Sequence, residues 1–427
     1  MRHLKNVSFC LSLSVFLALS PAFSAQVAVG GCTGLANYTT IQQAIDNVPA
    51  GSIVKVCPGN YHEQLSINKQ VTIMGVSNSF NDAVVILPPD GGLAANAVDV
   101  DNSSLPIAAQ IFVHDTSGPV SISNLTVDGT GNAISGCAPE LQGVLFQNAS
   151  GTLNHIAVRN ETLGAGLGGC QSGQGIFVET GPELTSAVTV ENSSVHSYNK
   201  NGITGHDAGT TLIVTGNYVQ GNGVVPSGGA AQNGIELAFG ATGRISNNTV
   251  IDNIYGDTSI ADSTDILLYD AAANSGIMVN SNTVGNSQIP IGLFTDTPGA
   301  GDGVTVTGNK IFGSSTADSI DVCTNGNNIK SNTIFNSAEA AIHLDASCGA
   351  TGNSNTVSNN IIVESACAGI LADSGTSGNS TSPDTYYTVP FTVFNNTSRC
   401  TIPPGPTGNF ASITGLATSS MKIKPAR

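Results

Sequence analysis

Gly234-Ile235-Glu236-Leu237, followed by Ile245-Ser246-Asn247-Asn248-Thr249-Val250, decides the fold, because both phrases keep returning. The first recurs with its leading apolar residue at Val144, Ile176, Ile203, Ile266, Ile291, Ile320, Ile342 and Ile370, at intervals of 22 to 32 residues. The second is a pair of apolar residues five positions apart: Leu153/Val158, Val190/Val195, Val214/Val219, Val279/Val284, Val306/Ile311, Ile329/Ile334 and Val357/Ile362, with an early copy at Ile122/Val127. Three residues after its first member the later copies carry Asn: Asn217, Asn248, Asn282, Asn309, Asn332, Asn360 and Asn396. Asn tolerates a tight bend, and its amide can bond to the same amide one layer above. A repeat this short cannot bury its own apolar face, and without a crossover helix it stacks as an all-β, right-handed parallel β-helix solenoid. Strand alternation turns Ile235 and Leu237 inward and Glu236 outward. A β-propeller needs about 40 residues per blade and usually a Trp-Asp phrase, whereas this chain has no Trp.

Working outward, the 427 residues include 50 Gly and only a tenth are charged, a balance that suits strands and turns. Arg2 and Lys5, an apolar run from Val7 to Leu19 and Ser20-Pro21-Ala22-Phe23-Ser24-Ala25 have the order of an export signal cleaved near Ala25. The run is too short to span a bilayer, which takes roughly 20 residues. We therefore expect a leader at 1–25, one β-helix domain at 26–400 and a linker-like tail at 401–427. The mature chain is secreted or periplasmic, without a membrane span, and is expected to be a monomer. Losing Arg2 and Lys5 takes the formal charge from −16 to −18, with 11 basic against 29 acidic residues. That surface excludes nucleic acid, and it disfavours a polyuronate unless a cation such as Ca²⁺ bridges the two. Apart from Cys10, eight cysteines fall in sequential couples, Cys32/Cys57, Cys137/Cys170, Cys323/Cys348 and Cys367/Cys400, spaced 25, 33, 25 and 33 residues. Each spacing is about one coil, so sequential pairing is expected between adjacent layers.

An open solenoid end exposes core, and natural chains cover it. Thr40-Ile41-Gln42-Gln43-Ala44-Ile45-Asp46-Asn47-Val48 has the apolar spacing of a short amphipathic helix, so 36–60 is the expected N-terminal cap. With Val54-Lys55-Val56 and Pro58-Gly59-Asn60-Tyr61-His62-Glu63, this opening resembles that of pectin-lyase-like β-helix proteins, including pectinesterases. The later Gly-Ile-x-Leu and Asn-Thr-Val/Ile phrases are similar to the repeats of polysaccharide lyases, epimerases and periplasmic NosD-type proteins. The resemblance covers roughly residues 36–398 and implies the fold and a carbohydrate partner. The catalytic phrases of pectinesterases and alginate epimerases are missing, so it implies no particular reaction.

Residues at one offset of a solenoid strand stack into columns. One outward stripe gathers Glu179, His206, Glu236 and Tyr269, a set suited to acid/base work at a sugar, as candidate catalytic residues. Phe177, Phe294 and Arg244 are the candidate substrate contacts. A second cluster joins His343 and Asp345 to Asp321. Asp257, Asp262 and Asp265 form a loop that can be read as a Ca²⁺ site or as a solvated turn; no cofactor is otherwise implied. A polysaccharide lyase or glycoside hydrolase competes with a non-catalytic glycan-binding or surface-structural solenoid.

Overall fold

The computed structural model describes residues 24–77, 82–225, 230–256, 262–348 and 352–396. The tail 401–427, Cys400, Asp257 and the expected leader, apart from Ser24 and Ala25, lie outside them. Among the described residues the strands form a 24-stranded and a 13-stranded sheet. Pairing is parallel throughout, except where Ala97–Val98 runs antiparallel to Pro106–His114. One later coil shows the plan: Ile289–Phe294 in the smaller sheet, then Thr305–Thr307 and Lys310–Ser314 as two legs of the larger one. The next coil begins at Ile320–Val322.

The repeat register is the structural register. Val144, Ile176, Ile203, Ile235, Ile266, Ile291, Ile320, Ile342 and Ile370 are paired in that order down the smaller sheet. All are fully buried, as are their second-phrase counterparts from Val190/Val195 to Val357/Ile362. Each such side chain contributes about 1.5–3 kcal/mol of burial. The core is thus one continuous apolar rod.

The bend residues form a buried amide ladder. Each Asn Oδ1 accepts from the backbone and side chain of the Asn one coil earlier: Asn248 from Asn217, Asn282 from Asn248, and on through Asn309 and Asn332 to Asn360, at 2.9–3.0 Å. Its end differs from the expectation. Asp384, not Asn396, closes the ladder by accepting from Asn360, because a carboxylate has no amide hydrogens to pass on. Asn396 pairs with Asp373 in the other sheet. A second ladder, Asn327 to Asn355 to Asn379, went unread in the sequence.

The helix spans Ile41–Asn47 only, and buries Ile41, Ala44 and Ile45. Glu63 accepts from the Ile41 and Gln42 amides at 2.9 Å, which explains its place in the opening phrase. Asp265 corrects the loop reading: it is a fully buried strand residue that accepts from Asn253, Gly285 and Ser287 inside the coil. The disulfides Cys32–Cys57, Cys137–Cys170 and Cys323–Cys348 follow the sequential pairing and fit an oxidising compartment. No helix among the described residues is long and apolar enough to cross a membrane. Cys137→Ser with Cys170→Ser opens a 33-residue loop and is expected to cost about 2–4 kcal/mol, read as a lower urea midpoint.

Candidate active site

The two sheets differ on their outer faces. Strands of the larger sheet alternate buried and part-exposed residues, as Ser186–Glu191 does, whereas Gln174–Glu179 and Asn233–Ala238 of the smaller sheet are buried at every position. In the first coils the outer face of the smaller sheet packs a second apolar layer of Ile107, Ala109, Phe112, Leu145 and Phe177. Beyond it the face opens into a groove of about 720 Å³, running from Asp99 and Glu140 to Asp345 and Cys348. It crosses eight rungs of the sheet, roughly 33 Å at the usual strand spacing. A concavity of about 560 Å³ elsewhere has Asp82, His155 and Tyr218 as its titratable lining.

Register brings the expected stripe together. Thr204, Glu236, Leu267, Gly292 and Asp321 form one column, and His206, Ala238, Tyr269 and Phe294 the next. Glu236, His206, Tyr269, Phe177 and Phe294 all line the groove. Gly292 makes room for the Phe294 ring, since a Cβ there would come within 2.5 Å of it. Three residues sit differently from the expectation. Glu179 belongs to the outward column but is fully buried behind the groove, with Gln147 Nε2 donating to Oε1 at 2.7 Å. Phe177 is mostly taken up by the apolar layer. Arg244 lies on Thr242–Ser246 of the larger sheet, its Nε donating to Asn280 Oδ1 at 3.1 Å, away from the groove.

Several site residues were not singled out in the sequence. Phe239 follows strand Asn233–Ala238 with a left-handed φ of 49° and is 48% exposed. Its ring lies 4.7 Å from His206 and 5.4 Å from Tyr269. The left-handed bend recurs on the neighbouring coils at Asp207 and Asp270, so it belongs to the coil, and what sets Phe239 apart is its exposed ring in the groove. A turn residue has no periodic signal, but an apolar side chain at a bend was the available hint. Asp99 and Glu140 were also missed; the loop carrying Asp99 reaches the groove from far along the chain, where Gln147 Nε2 donates to Val98 O at 2.7 Å.

The electrostatics centre on His206, whose Nδ1 lies 2.6 Å from Asp207 Oδ1. Burial pulls its pKa down, but Asp207, Glu236 and Glu179 outweigh it and hold the imidazole above its ordinary value. Burial, aided by Asp99, lifts the Glu140 carboxyl to about 7. Burial lifts Glu179 to about 8, against the Gln147 hydrogen bond. Lys200 is half-buried, donates to Ala231 O at 2.7 Å and is pulled below its ordinary value by desolvation. Asn201 Nδ2 donates to Glu236 Oε2, and the Tyr269 hydroxyl donates to Asp296. Glu179 and Glu140 are neutral acids in the fold and ionise when it unfolds, so the folded protein holds more protons above their ordinary pKa. Stability is therefore expected to fall from about pH 4.5 towards about 8, and Glu179→Gln should flatten that slope in thermal melts.

At the far end His343 Nδ1 lies 3.0 Å from Asp318 and Nε2 3.3 Å from Asp373. A pocket of about 140 Å³, lined also by Asp262, Asp321, Glu339 and Asp345, adjoins them. The ligand atoms of Asp318, Asp321 and His343 lie within 4.8 Å of one another and can be considered for a metal. Despite burial, the Asp318 hydrogen bond and the neighbouring acids lift His343 to about 10, so a metal bound there would have to displace its proton. Cys323 and Cys348 are disulfide-bonded and do not ligate.

No protein-family model and no curated protein sequence matches the chain. Solved structures do. The catalytic domain of a GH87 alpha-1,3-glucanase in complex with nigerose aligns at a TM-score of 0.55 and 13% identity, over 92% of this chain and 71% of that one. A thermostable GH87 alpha-1,3-glucanase from Streptomyces thermodiastaticus strain HF3-3 aligns at 0.54 and 15%, over 86% and 67%. The GH136 lacto-N-biosidase from Eubacterium ramulus aligns at 0.51 and 12%, over 87% and 67%. At such identities the likeness speaks for the fold alone, a parallel β-helix, which is consistent with the resemblance read from the sequence.

Proposed function

We propose that this is a secreted or periplasmic glycoside hydrolase that holds a polysaccharide along the groove of the smaller sheet. The proposal extends to a right-handed coil, a monomer, removal of residues 1–25 and a solenoid end closed by helix Ile41–Asn47. The observation that carries it is one groove combining an aromatic wall with carboxyl groups of different protonation. Phe239, Tyr269 and Phe294 offer ring faces to sugars, and burial lifts the Glu140 carboxyl to about 7. Hydrolysis needs a protonated acid at the leaving oxygen and a carboxylate opposite it. Glu236 fits the carboxylate role, with His206–Asp207 on the adjacent strand as the group placed to donate a proton; Glu140 stands three rungs away, roughly 14 Å along the sheet, too far to pair with it. Elimination fits less well, because a lyase must neutralise a uronate carboxylate and this lining is acidic. Solved structures of the same fold include a lacto-N-biosidase and alpha-1,3-glucanases, which agrees with a glycan partner.

The test is incubation of the mature protein with neutral, amino and acidic polysaccharides, following reducing ends and the absorbance of unsaturated sugars. New reducing ends without that absorbance support hydrolysis; absorbance overturns it in favour of a lyase. The full burial of Glu179 favours a second reading, a binding solenoid, which retention of a glycan without turnover would establish. Phe239→Ala is expected to weaken glycan binding about tenfold, in line with about 1 kcal/mol for an aromatic contact, and to leave the melting temperature unchanged.

A further inference from the structure

The middle of the groove contains a line of polar side chains that ends on Glu236. Asn201, Asn233 and Thr264 stand in register on three successive strands of the smaller sheet, Asn201–His206, Asn233–Ala238 and Thr264–Tyr269. All three are buried, and the two Asn line the groove. Thr264 donates twice to Asn233 Oδ1, from its backbone amide at 3.2 Å and from Oγ1 at 3.0 Å. Asn233 Nδ2 donates to Asn201 Oδ1 at 3.2 Å, and Asn201 Nδ2 donates to Glu236 Oε2. Ile289, the next residue in the column, has no polar group, so the line starts at Thr264.

The direction of this line is fixed from its start. A backbone N–H donates and never accepts, so Asn233 turns Oδ1 to Thr264 and its amide hydrogens to Asn201. Asn201 then accepts on Oδ1 and points its own amide hydrogens at Glu236. Turning either side chain over would set donor against donor in a buried place. Glu236 Oε2 is therefore held as an acceptor, and each bond in the line polarises the next. We infer that Asn233 is a positioning residue: through Asn201 it holds the Glu236 carboxylate as base or nucleophile and bars Oε2 from carrying the proton that the leaving oxygen needs. The inference rests on the proposed role of Glu236 and names the residue that sets it.

The test uses Asn233→Leu and Asn233→Asp in the full-length mature protein. Both remove the donor to Asn201; the second keeps an acceptor for Thr264 and adds a charge, so an effect shared by both is not one of charge. Turnover is measured on a panel of neutral, amino and acidic polysaccharides, with alpha-1,3-glucan, chitosan and polygalacturonate among them. Both variants should lower kcat about tenfold to a hundredfold, the worth of a hydrogen bond to a charged group, with a smaller change in KM. The acid limb of the pH–rate profile should move to higher pH, because a carboxylate that loses a donor is harder to ionise. Neither substitution should add to the loss in Glu236→Gln, since Asn233 acts through Glu236. Without any substrate, the Asn201 side-chain amide protons should resonate downfield and exchange slowly, and should lose both features in either variant. A change confined to KM makes Asn233 a substrate contact and overturns the inference, as does a loss that adds in full to that of Glu236→Gln or an Asn201 amide indifferent to both substitutions. Each of these leaves the hydrolase reading standing. Turnover that survives Glu236→Gln, or none across the panel, overturns the role of Glu236 and the inference with it.

Discussion

Asn309→Ala is expected to lower the unfolding free energy by about 3–5 kcal/mol, although it removes a small polar side chain. Asn309 Oδ1 accepts from the amide and side chain of Asn282 at 2.9 and 3.0 Å, and its Nδ2 donates to Val279 O and Asn332 Oδ1 at 2.9 Å. The substitution strands partners on both neighbouring coils in a place water does not reach, and each stranded group costs about 1–3 kcal/mol. Asn309→Asp should recover little, because a carboxylate accepts but cannot donate. Asn102→Ala, at an exposed position where Oδ1 accepts only from the nearby Ser104, should change stability by less than about 1 kcal/mol. Urea unfolding monitored by circular dichroism measures these differences. A loss under about 1 kcal/mol at Asn309 would show that the amide ladder is not what fixes the bends.

The largest functional effect is expected at Glu236. Glu236→Gln keeps the volume and an oxygen for the Asn201 hydrogen bond, but removes the carboxylate from the middle of the groove. Turnover of whichever polysaccharide is cleaved should drop about 10²–10⁴-fold, the usual scale for one acid/base group. Binding of the same glycan to the inactive variant should remain within about tenfold, since Phe239, Tyr269 and Phe294 are untouched. Unchanged turnover would remove Glu236 from the reaction and move the carboxylate role to Asp321 and Asp345.

These two residues mark how much was legible before folding. Asn309 was readable because its neighbours repeat it: an Asn at a constant offset from a paired apolar phrase, coil after coil, has one economical explanation. The ladder's end was not readable, since Asp384 sits in a coil whose phrase has decayed, while Asn396 matches the phrase yet belongs to another sheet. Glu236 was placed on the outward face by alternation alone, and its column with Thr204 and Leu267 follows from the same register. Alternation assigns a face, however, and not what covers it. Glu179 and Phe177 share the outward face and are buried there, whereas Phe239 escaped notice because a bend has no period.

The sequence by itself determined the coil: its parallel stacking, its inward columns and its sequential disulfides. These depend on residues one repeat apart, so a regular spacing carries them. Only the tertiary structure decided where the outer face of the smaller sheet is sealed and where it opens. That depends on Val98 and Asp99 reaching Gln147 and the groove, and on Asp318 and Asp373 converging on His343. Such contacts join segments with no common period, and whether a carboxylate there keeps its proton depends on how much water the assembled walls exclude.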